Sequence, residues 1–282
     1  MRLTVCGARG STPAPGPDFV RYGGHTLCIA LARRGRKPEL ILDAGTGVRN
    51  VGALLGGEPF RGTILLGHLH WDHTQGLPFF SAGDRDDAEV TLTMPSQGDP
   101  VPLLTRMISP PFFPIGPLEL RGRWSFIGLE AGEHVIEGFT VLALEIPHKG
   151  GRMFGYRISD GNAAITYMSD HSPIAHGPGP AGLGEYHDAA RALASGVDLL
   201  IHDAQHTAEE FPERAFLGHS AMEYAVGLAE ECGVRRLLLF HHDPARTDDE
   251  LDSLVKTLSS HSVTVEAACE GQSIELPSEV NP

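Results

Sequence analysis

Short apolar runs recur along the whole chain and are separated by polar or glycine-rich stretches. Runs of about four to eight residues rich in Val, Ile, Leu and Phe are typical of buried β-strands. Two of them flank Ser159-Asp160-Gly161-Asn162, which predicts a hairpin across that turn. We predict strands at residues 2–6, 26–32, 39–42, 63–66, 89–94, 139–146, 153–158, 163–168, 197–201, 236–240 and 263–266.

Other segments repeat their apolar residues at helical spacing, most clearly residues 220–231. The apolar face of this segment consists of Met222, Ala225, Val226 and Ala229. Ser220 followed by Glu223 matches a capping box, which predicts that the helix begins near Ser220. Shorter helices are predicted at 48–55, from 74 onward, and at 100–107, 185–194 and 248–258. Strands that alternate with helices predict an α/β fold.

The segment after the strand at 63–66 concentrates side chains that bind metals. Gly67 ends the strand, and His68, His70, Asp72 and His73 follow within six positions. In extended backbone two residues that are two positions apart point to the same side, so the first two histidines converge. The adjacent Asp and His need a turn to do so. Four such groups are costly to bury unpaired, so the pattern indicates ligands for two metal ions.

Further His and Asp residues stand where other predicted strands end. They are His148, Asp170, His202 and His241. Because α/β folds place ligand sites at the carboxyl ends of strands, we expect these residues to gather near the first cluster. Together they supply enough ligands for two metal ions and a bridging carboxylate.

Two loops are candidates for a role at such a site. Residues 7–17 are too rich in Gly and Pro for regular structure. Long loops on α/β scaffolds are often functional, although a simple connector fits this segment equally well. Residues 110–117 are apolar without helical or strand periodicity, which fits a lid, a wall of the substrate pocket or an oligomer contact.

The bulk composition narrows the function classes. The chain has 282 residues with 22 basic and 36 acidic side chains, a net charge of −14. Such a charge repels polyanions at long range, which counts against a large nucleic-acid substrate but not against a small phosphorylated one. We expect one domain over residues 1–282, with insertion and second-sheet elements at 81–150. Four separated cysteines, no signal peptide and no membrane-length apolar run favour a cytoplasmic protein with no membrane partner.

The segment from His68 to His73 resembles the signature of the metallo-β-lactamase superfamily of binuclear metallohydrolases. The resemblance implies a four-layer αββα sandwich. It also implies a ligand set in which one ion is bound by His68, His70 and His148, the other by Asp72, His73 and His241, and both by a bridging Asp170.

Two assignments within this resemblance carry alternatives. His242 competes with His241 as the last ligand, and the position at the strand end favours His241. Asp43 lies in a strand-Asp-x-Gly segment that runs beneath the metals in the superfamily, which implies that it orients ligands. Capping of a helix is the simpler role for Asp43.

The segment Leu217-Gly218-His219-Ser220 resembles the phosphodiesterase branch of the superfamily, which includes tRNA 3′-processing endonucleases and hydrolases of small cyclic phosphodiesters. The resemblance implies that His219 is the general acid and that Asp203, in place of the usual Glu, is its hydrogen-bond partner. His219 as a plain flank of the following helix is the alternative. Only a predicted hairpin lies between His148 and Asp170, where the commoner bacterial form of the tRNA-processing members carries a long arm that grips tRNA.

We therefore expect a binuclear metal-dependent hydrolase acting on a small or cyclic phosphodiester. The alternatives are an RNA 3′-processing endonuclease, a lactone or thioester hydrolase, and a non-catalytic metal-bearing binding module; a homodimer is compatible with each. The His-rich set favours two Zn²⁺ ions, and its carboxylates also accept Mn²⁺. In this mechanism Asp72 orients the attacking water and accepts its proton, and His219 protonates the leaving alkoxide.

Overall fold

In the computed structural model, which describes residues 1–258 and 262–277, the strands form two seven-stranded sheets. The first sheet contains β1 (Arg2–Gly7), β2 (Cys28–Ala32), β3 (Leu40–Leu42), β4 (Arg61–Leu65), β5 (Glu89–Pro95), β6 (Arg123–Leu129) and β14 (Ser273–Glu275). The second contains β7 (Gly132–Ile136), β8 (Phe139–Glu145), β9 (Phe154–Ser159), β10 (Ala164–Met168), β11 (Leu199–Asp203), β12 (Arg236–Phe240) and β13 (Thr264–Ala267).

The α-helices of the described ranges are mostly short, and three of them cover the second sheet. They are α1 (Val51–Leu54), α2 (Trp71–Thr74), α3 (Pro100–Thr105), α4 (Asp188–Ala194), α5 (Phe211–Arg214), α6 (Met222–Glu231) and α7 (Asp248–Leu258). None of the helices in these ranges is both long and apolar enough to cross a membrane.

Three apolar layers hold the sheets and helices together. Side chains such as Leu31 and Phe139 fill the space between the two sheets. A second layer lies between the second sheet and α4, α6 and α7, and includes Leu193 and Leu228. A third, which includes Phe60 and Phe80, packs α1 and α3 against the first sheet. This arrangement confirms the predicted four-layer αββα sandwich.

The strands that were not predicted all lie at sheet edges. The order of the first sheet is β14-β1-β2-β3-β4-β5-β6, and that of the second is β13-β12-β11-β10-β9-β8-β7. In β6 and β7 every second residue is exposed, so neither strand has the continuous apolar run that identified the central strands. Residues 81–150 therefore carry two strands of the first sheet and two of the second.

The capping box predicted for the helix at 220–231 is wrong. Helix α6 begins at Met222, and no side chain caps it. The Ser220 hydroxyl instead donates to the carbonyl of His171, and the Glu223 carboxylate accepts from the backbone N–H of Ala208. Both side chains thus fix neighbouring loops rather than the first turn of the helix.

The parallel half of the second sheet brings distant residues to one edge. In register, Met168 of β10 pairs with His202 of β11, and His202 pairs with Leu239 of β12. The residues that follow these positions therefore leave the sheet side by side. The loop after β4 in the first sheet faces this edge, because the N–H of Phe154 in β9 donates to the carbonyl of Gly67.

Candidate metal centre

The loop after β4 changes conformation between its two pairs of expected ligands. His70 is extended, with φ −65° and ψ 157°, and α2 begins at Trp71. His70 thus lies on extended chain, whereas Asp72 and His73 lie on the first turn of a helix. This is the turn that the sequence required for Asp72 and His73 to converge.

A first group of ligand atoms comes from His68, His70, His148 and Asp170, and these atoms lie within 4.8 Å of one another. His148 Nε2 is 3.4 Å from His70 Nδ1 and 3.4 Å from Asp170 Oδ2. His148 Nδ1 donates to the carbonyl of Gly218, so its Nε2 lone pair faces the group.

A second group shares Asp170 with the first. It consists of Asp72, His73, Asp170 and His241, again within 4.8 Å. His73 Nε2 is 3.0 Å from Asp170 Oδ1, and His241 Nε2 is 3.2 Å from Asp72 Oδ2. All seven residues expected as metal ligands therefore gather at two adjoining points, with Asp170 between them.

The chemistry of these atoms fits two divalent cations. Both ring nitrogens of His68 are buried and have no hydrogen-bond partner among the described residues. Buried polar atoms in proteins are almost always paired, and an unpaired group is costly. Imidazole and carboxylate ligands at these two points would be satisfied by Zn²⁺ or a similar ion.

The protonation states also suit metal binding. Burial lowers the pKa of His68 well below its ordinary value, and it lowers the pKa of His70 and His148 in the same way. These rings are therefore neutral and keep a lone pair for a metal. Burial would raise the pKa of Asp170, but His241 and His73 hold it well below its usual range, so this carboxylate is ionised.

His73 and His241 behave differently because carboxylates surround them. Burial opposes a charge on both rings, but Asp170 and its neighbouring carboxylates raise the pKa of His241 to about 9 and that of His73 well above its ordinary value. Without a cation these rings hold protons, and a metal ion would have to displace them.

Asp43 fixes the orientation of His73 from beneath the site. Its carboxylate accepts from His73 Nδ1 at 2.7 Å, from the N–H of Gly67 at 2.7 Å and from the hydroxyl of Tyr167 at 2.6 Å. Asp43 is fully buried and has a φ of 57°, a strained value for a residue with a side chain. The contacts favour the orienting role over helix capping.

His241 and His242 point in different directions. His241 has a φ of 57° and faces Asp72 and Asp170. A Cβ at Gly10 would lie 2.1 Å from His241 Nδ1, so glycine is required where the loop at 7–17 crosses this ring. His242 Nε2 donates to the carbonyl of Ala268 and lies outside both groups.

His219 and Asp203 form a hydrogen-bonded pair beside the two groups. His219 Nδ1 donates to Asp203 Oδ2 at 3.0 Å, and the His219 ring stacks on His241 with centroids 4.4 Å apart. Asp203 also accepts the backbone N–H groups of His171, Ser220 and Gln205, so its position is fixed. Burial would raise the pKa of Asp203, but His219 holds it below its ordinary value.

Sequence reasoning missed the residues that support Asp72. The backbone N–H of Ser11 donates to Asp72 Oδ2 at 2.7 Å, and Gln205 Nε2 donates to the Ser11 hydroxyl at 3.1 Å. The richness of residues 7–17 in Gly and Pro was the available signal. This composition identified the loop as a candidate but did not identify Ser11.

A second set of histidines lies nearby, which we call the histidine row: His202, His171, His187 and His176. His202 Nε2 and His171 Nδ1 are 3.0 Å apart, and His171 Nε2 and His187 Nε2 are 2.8 Å apart. The His187 ring is 4.5 Å from that of exposed His176. His202 stands at a strand end as expected, but it faces this row rather than the two ligand groups.

The ligand groups open into a small pocket of about 360 Å³. Its lining residues are Ser11, Leu69, His70, Trp71, Asp72, Asp170 and His219. Small-molecule sites typically measure about 300–1,000 Å³, so this pocket is at the lower end of that range.

Fold and site together define a class of protein. The family model described as the beta-lactamase superfamily domain matches residues 40–242, and the chain belongs to this superfamily. The prediction of a metal-dependent hydrolase with the metallo-β-lactamase fold is thereby confirmed at the level of the superfamily.

Individual relatives are distant. A ribonuclease Z from Mycobacterium bovis is 24% identical over 275 residues, which cover 87% of each chain. A ribonuclease Z from Lactococcus lactis is 44% identical over 54 residues, and the chain spans only 18% of that protein. Two further ribonuclease Z matches likewise span 27% and 22% of those proteins.

Solved structures share the fold over nearly the full chain. YhfI from Bacillus subtilis, a metallo-β-lactamase fold protein, has a TM-score of 0.71 at 20% identity and covers 97% of this chain and 99% of its own. The short form of human tRNase Z has a TM-score of 0.68 at 20% identity, with 98% and 100% covered. A diphosphatase of the PhnP family has a TM-score of 0.66 at 18% identity, with 97% of each chain covered.

Proposed function

We propose that the protein is a binuclear metal-dependent phosphodiesterase that acts on a small phosphodiester. The observation that carries this proposal is the sharing of Asp170 by two ligand groups, directly beside the His219–Asp203 pair. Two metals with one bridging carboxylate suit in-line displacement at phosphorus, and a nearby imidazole suits protonation of a leaving alkoxide.

Metal ions held by the seven ligands would supply an activated water and neutralise charge on the phosphate oxygens. The residues of this chain would do the remaining work. Asp72 is fixed by the Ser11 N–H and is placed to orient the attacking water and accept its proton. His219 is placed to give a proton to the leaving oxygen, while Asp203 holds the ring through Nδ1.

The size of the pocket and the surface charge support a small substrate. The pocket measures about 360 Å³, and the chain carries a net charge of −14. Several surface arginines are paired with carboxylates, as in Arg121–Asp84 and Arg191–Glu231. Only β9 and β10 lie between His148 and Asp170, so the described chain carries no tRNA-gripping arm there.

A second candidate is RNA 3′-end processing. It is favoured by the match to the Mycobacterium bovis ribonuclease Z over 87% of each chain. The test is cleavage of a precursor tRNA, compared with hydrolysis of a 2′,3′-cyclic nucleotide under the same conditions. The first proposal requires the cyclic nucleotide to be the better substrate.

The proposed activity is tested with bis(p-nitrophenyl) phosphate. Metal is removed from the purified protein with a chelator, and Zn²⁺ or Mn²⁺ is then added. The release of p-nitrophenolate is followed. We expect no turnover after chelation and restored turnover with metal. Asp170→Asn protein, treated in the same way, serves as the matched control for adventitious hydrolysis by the added ion.

Inactivity of a protein shown to contain two ions per chain would contradict the phosphodiesterase assignment. Hydrolysis of a lactone or thioester by the same preparation would then identify the alternative ester class.

A further inference from the structure

An aromatic pocket adjoins the metal centre. It measures about 190 Å³, and its lining residues include Trp71, Thr74, Gln75, Phe79, Phe112 and Phe113. Trp71 also lines the metal pocket, because it stands between His70 and Asp72 in the chain. The two pockets therefore share a wall.

The aromatic side chains are arranged as surfaces that remain open. Trp71 is 74% exposed and Phe112 is 82% exposed, although large apolar side chains are normally buried in a core of this size. Phe79 is 58% exposed and meets Phe113 edge to face, with centroids 5.8 Å apart. Exposed apolar surface of this kind next to a catalytic centre marks a site for ligand binding.

The polar lining groups are already engaged within the protein. The Thr74 hydroxyl donates to the carbonyl of His70 at 2.8 Å, and Gln75 Nε2 donates to the Thr26 hydroxyl at 3.2 Å. The described residues that line the pocket carry no formal charge. The pocket thus offers ring faces and dispersion contacts but little hydrogen-bond recognition.

The volume sets the size of the group that fits. An apolar cavity of about 150 Å³ holds one benzene molecule. The pocket at about 190 Å³ therefore suits a planar group of roughly one ring. Aromatic faces bind such rings by stacking, largely irrespective of their substituents.

We propose that this pocket binds a planar aromatic substituent of the phosphodiester, so that the substrate is an aryl or pyrimidine-nucleoside ester rather than a purely alkyl or sugar ester. This inference rests on the phosphodiesterase proposed above. It assigns Phe112 and Phe113, in the segment 110–117, to the wall of the substrate pocket, which is one of the three roles that the sequence left open.

The experiment compares phenylphosphonate with methylphosphonate, which bear the same anionic group on an aromatic or an alkyl carbon. Affinity for the metal-loaded protein is measured by calorimetry. Fluorescence provides a second readout, because Trp124→Phe leaves Trp71 as the sole tryptophan of a chain that contains two. We expect phenylphosphonate to bind about tenfold more tightly and to change the Trp71 emission.

Variants locate the effect. Trp71→Ala and Phe112→Ala should each bring the ratio of the two affinities close to one, with metal content unchanged. Phe112 is not one of the seven residues expected to bind metal. Its variant therefore keeps the test valid if Trp71→Ala disturbs the neighbouring residues His70 and Asp72. Leu118→Ala is the matched control, because Leu118 is 72% exposed but does not line the pocket.

Equal affinity of the protein for the two phosphonates would overturn the aromatic subsite. An affinity ratio that stays unchanged in both Trp71→Ala and Phe112→Ala would do the same. That result in a protein that hydrolyses bis(p-nitrophenyl) phosphate would refute the subsite alone. A preference for phenylphosphonate without any diester turnover would instead refute the phosphodiesterase. Rates with the p-nitrophenyl ester of thymidine 5′-phosphate and with phenyl p-nitrophenyl phosphate then separate a nucleoside from a simple aryl substrate.

Discussion

The metal centre and the histidine row are both dense in histidine, and both begin at the ends of parallel strands. In the metal centre, carboxylates stand between the rings, and several ring nitrogens lack hydrogen-bond partners among the described residues. In the histidine row, the rings of His202, His171 and His187 are hydrogen-bonded to one another. A high density of histidine therefore does not by itself indicate a metal site, and we propose that unpaired nitrogens around a shared carboxylate do.

A single position along the strand separates the two environments. Asp203 of β11 pairs in register with Phe240 of β12, and His241 follows Phe240. His202 is one residue earlier, so its side chain points to the opposite face of the sheet, towards Tyr224 on α6. Asp203 connects the regions, since it accepts from the ring of His219 and from the backbone of His171.

The largest effect is expected from Asp170→Asn. This change removes the only carboxylate charge common to both ligand groups, so metal content should fall from two ions per chain to less than one. Diester turnover should fall on the order of 10⁴-fold. Mass spectrometry of bound metal and the p-nitrophenolate assay measure the two effects.

His187→Gln is the matched variant for this prediction, because it removes a histidine of the row. It should keep both metals and nearly full activity. Loss of metal from His187→Gln, or full metal content in Asp170→Asn, would contradict the claim that the metal centre binds metal and the histidine row does not.

His219→Ala should lower turnover while leaving the metal content unchanged. For esters with an alcohol leaving group the loss should be on the order of 10³-fold, because the alkoxide must be protonated as it departs. With p-nitrophenolate, which leaves readily, the loss should be only about tenfold. Equal losses for both leaving groups would contradict an acid role and indicate a structural one.

Asp43→Asn should weaken metal binding without abolishing it. The amide oxygen accepts less strongly than the carboxylate from His73 Nδ1 and the Tyr167 hydroxyl, which share one oxygen of Asp43, and the NH₂ group then faces the N–H of Gly67. Loss of such an orienting partner typically costs about 10–100-fold in affinity. Competition with a chromophoric chelator measures the change, and an unchanged affinity would refute the orienting role.

The two regions differ in the protonation of their histidines, and the pH dependence of metal binding tests this difference. Carboxylates raise the pKa of His241 to about 9 and that of His73 well above its ordinary value, so the metal-free centre holds protons at pH 7.5. Burial instead lowers the pKa of His187 to about 4 and that of His171 well below its ordinary value, so these two rings hold none. A cation must displace the protons of the centre, so affinity should rise as pH rises towards 9.

The number of displaced protons gives the size of this effect. We expect about two protons per chain at pH 7.5, and an affinity that gains about tenfold per pH unit for each proton. Calorimetry in buffers with different ionisation enthalpies counts them. Binding without proton release would show that His73 and His241 are not ligands.

The sequence predicted what depends on local pattern. Central strands such as β4 and β11 were predictable because they are buried on both faces, and the gathering of His148, Asp170 and His241 followed from their positions at strand ends. Edge strands β6, β7 and β14 were not predicted, because half of each faces solvent and dilutes the apolar signal.

Partners that depend on tertiary contact escaped sequence reasoning. Ser11 supports Asp72 through a backbone N–H, which carries no side-chain signature. Ser220 and Glu223 matched a cap but bind His171 and Ala208 instead, because loops brought by the fold compete for the same side chains. The histidine row was not predicted, because His171 and His187 lie 16 residues apart in the irregular connection between β10 and α4, where no periodicity relates them.

The most direct test of the central claim is a crystal structure of zinc-loaded protein with anomalous scattering recorded at the zinc edge. The account requires two peaks per chain, about 3.5–4 Å apart and on either side of Asp170. It requires no peak at the histidine row. A single peak, or one bound by His171 and His187, would contradict the account.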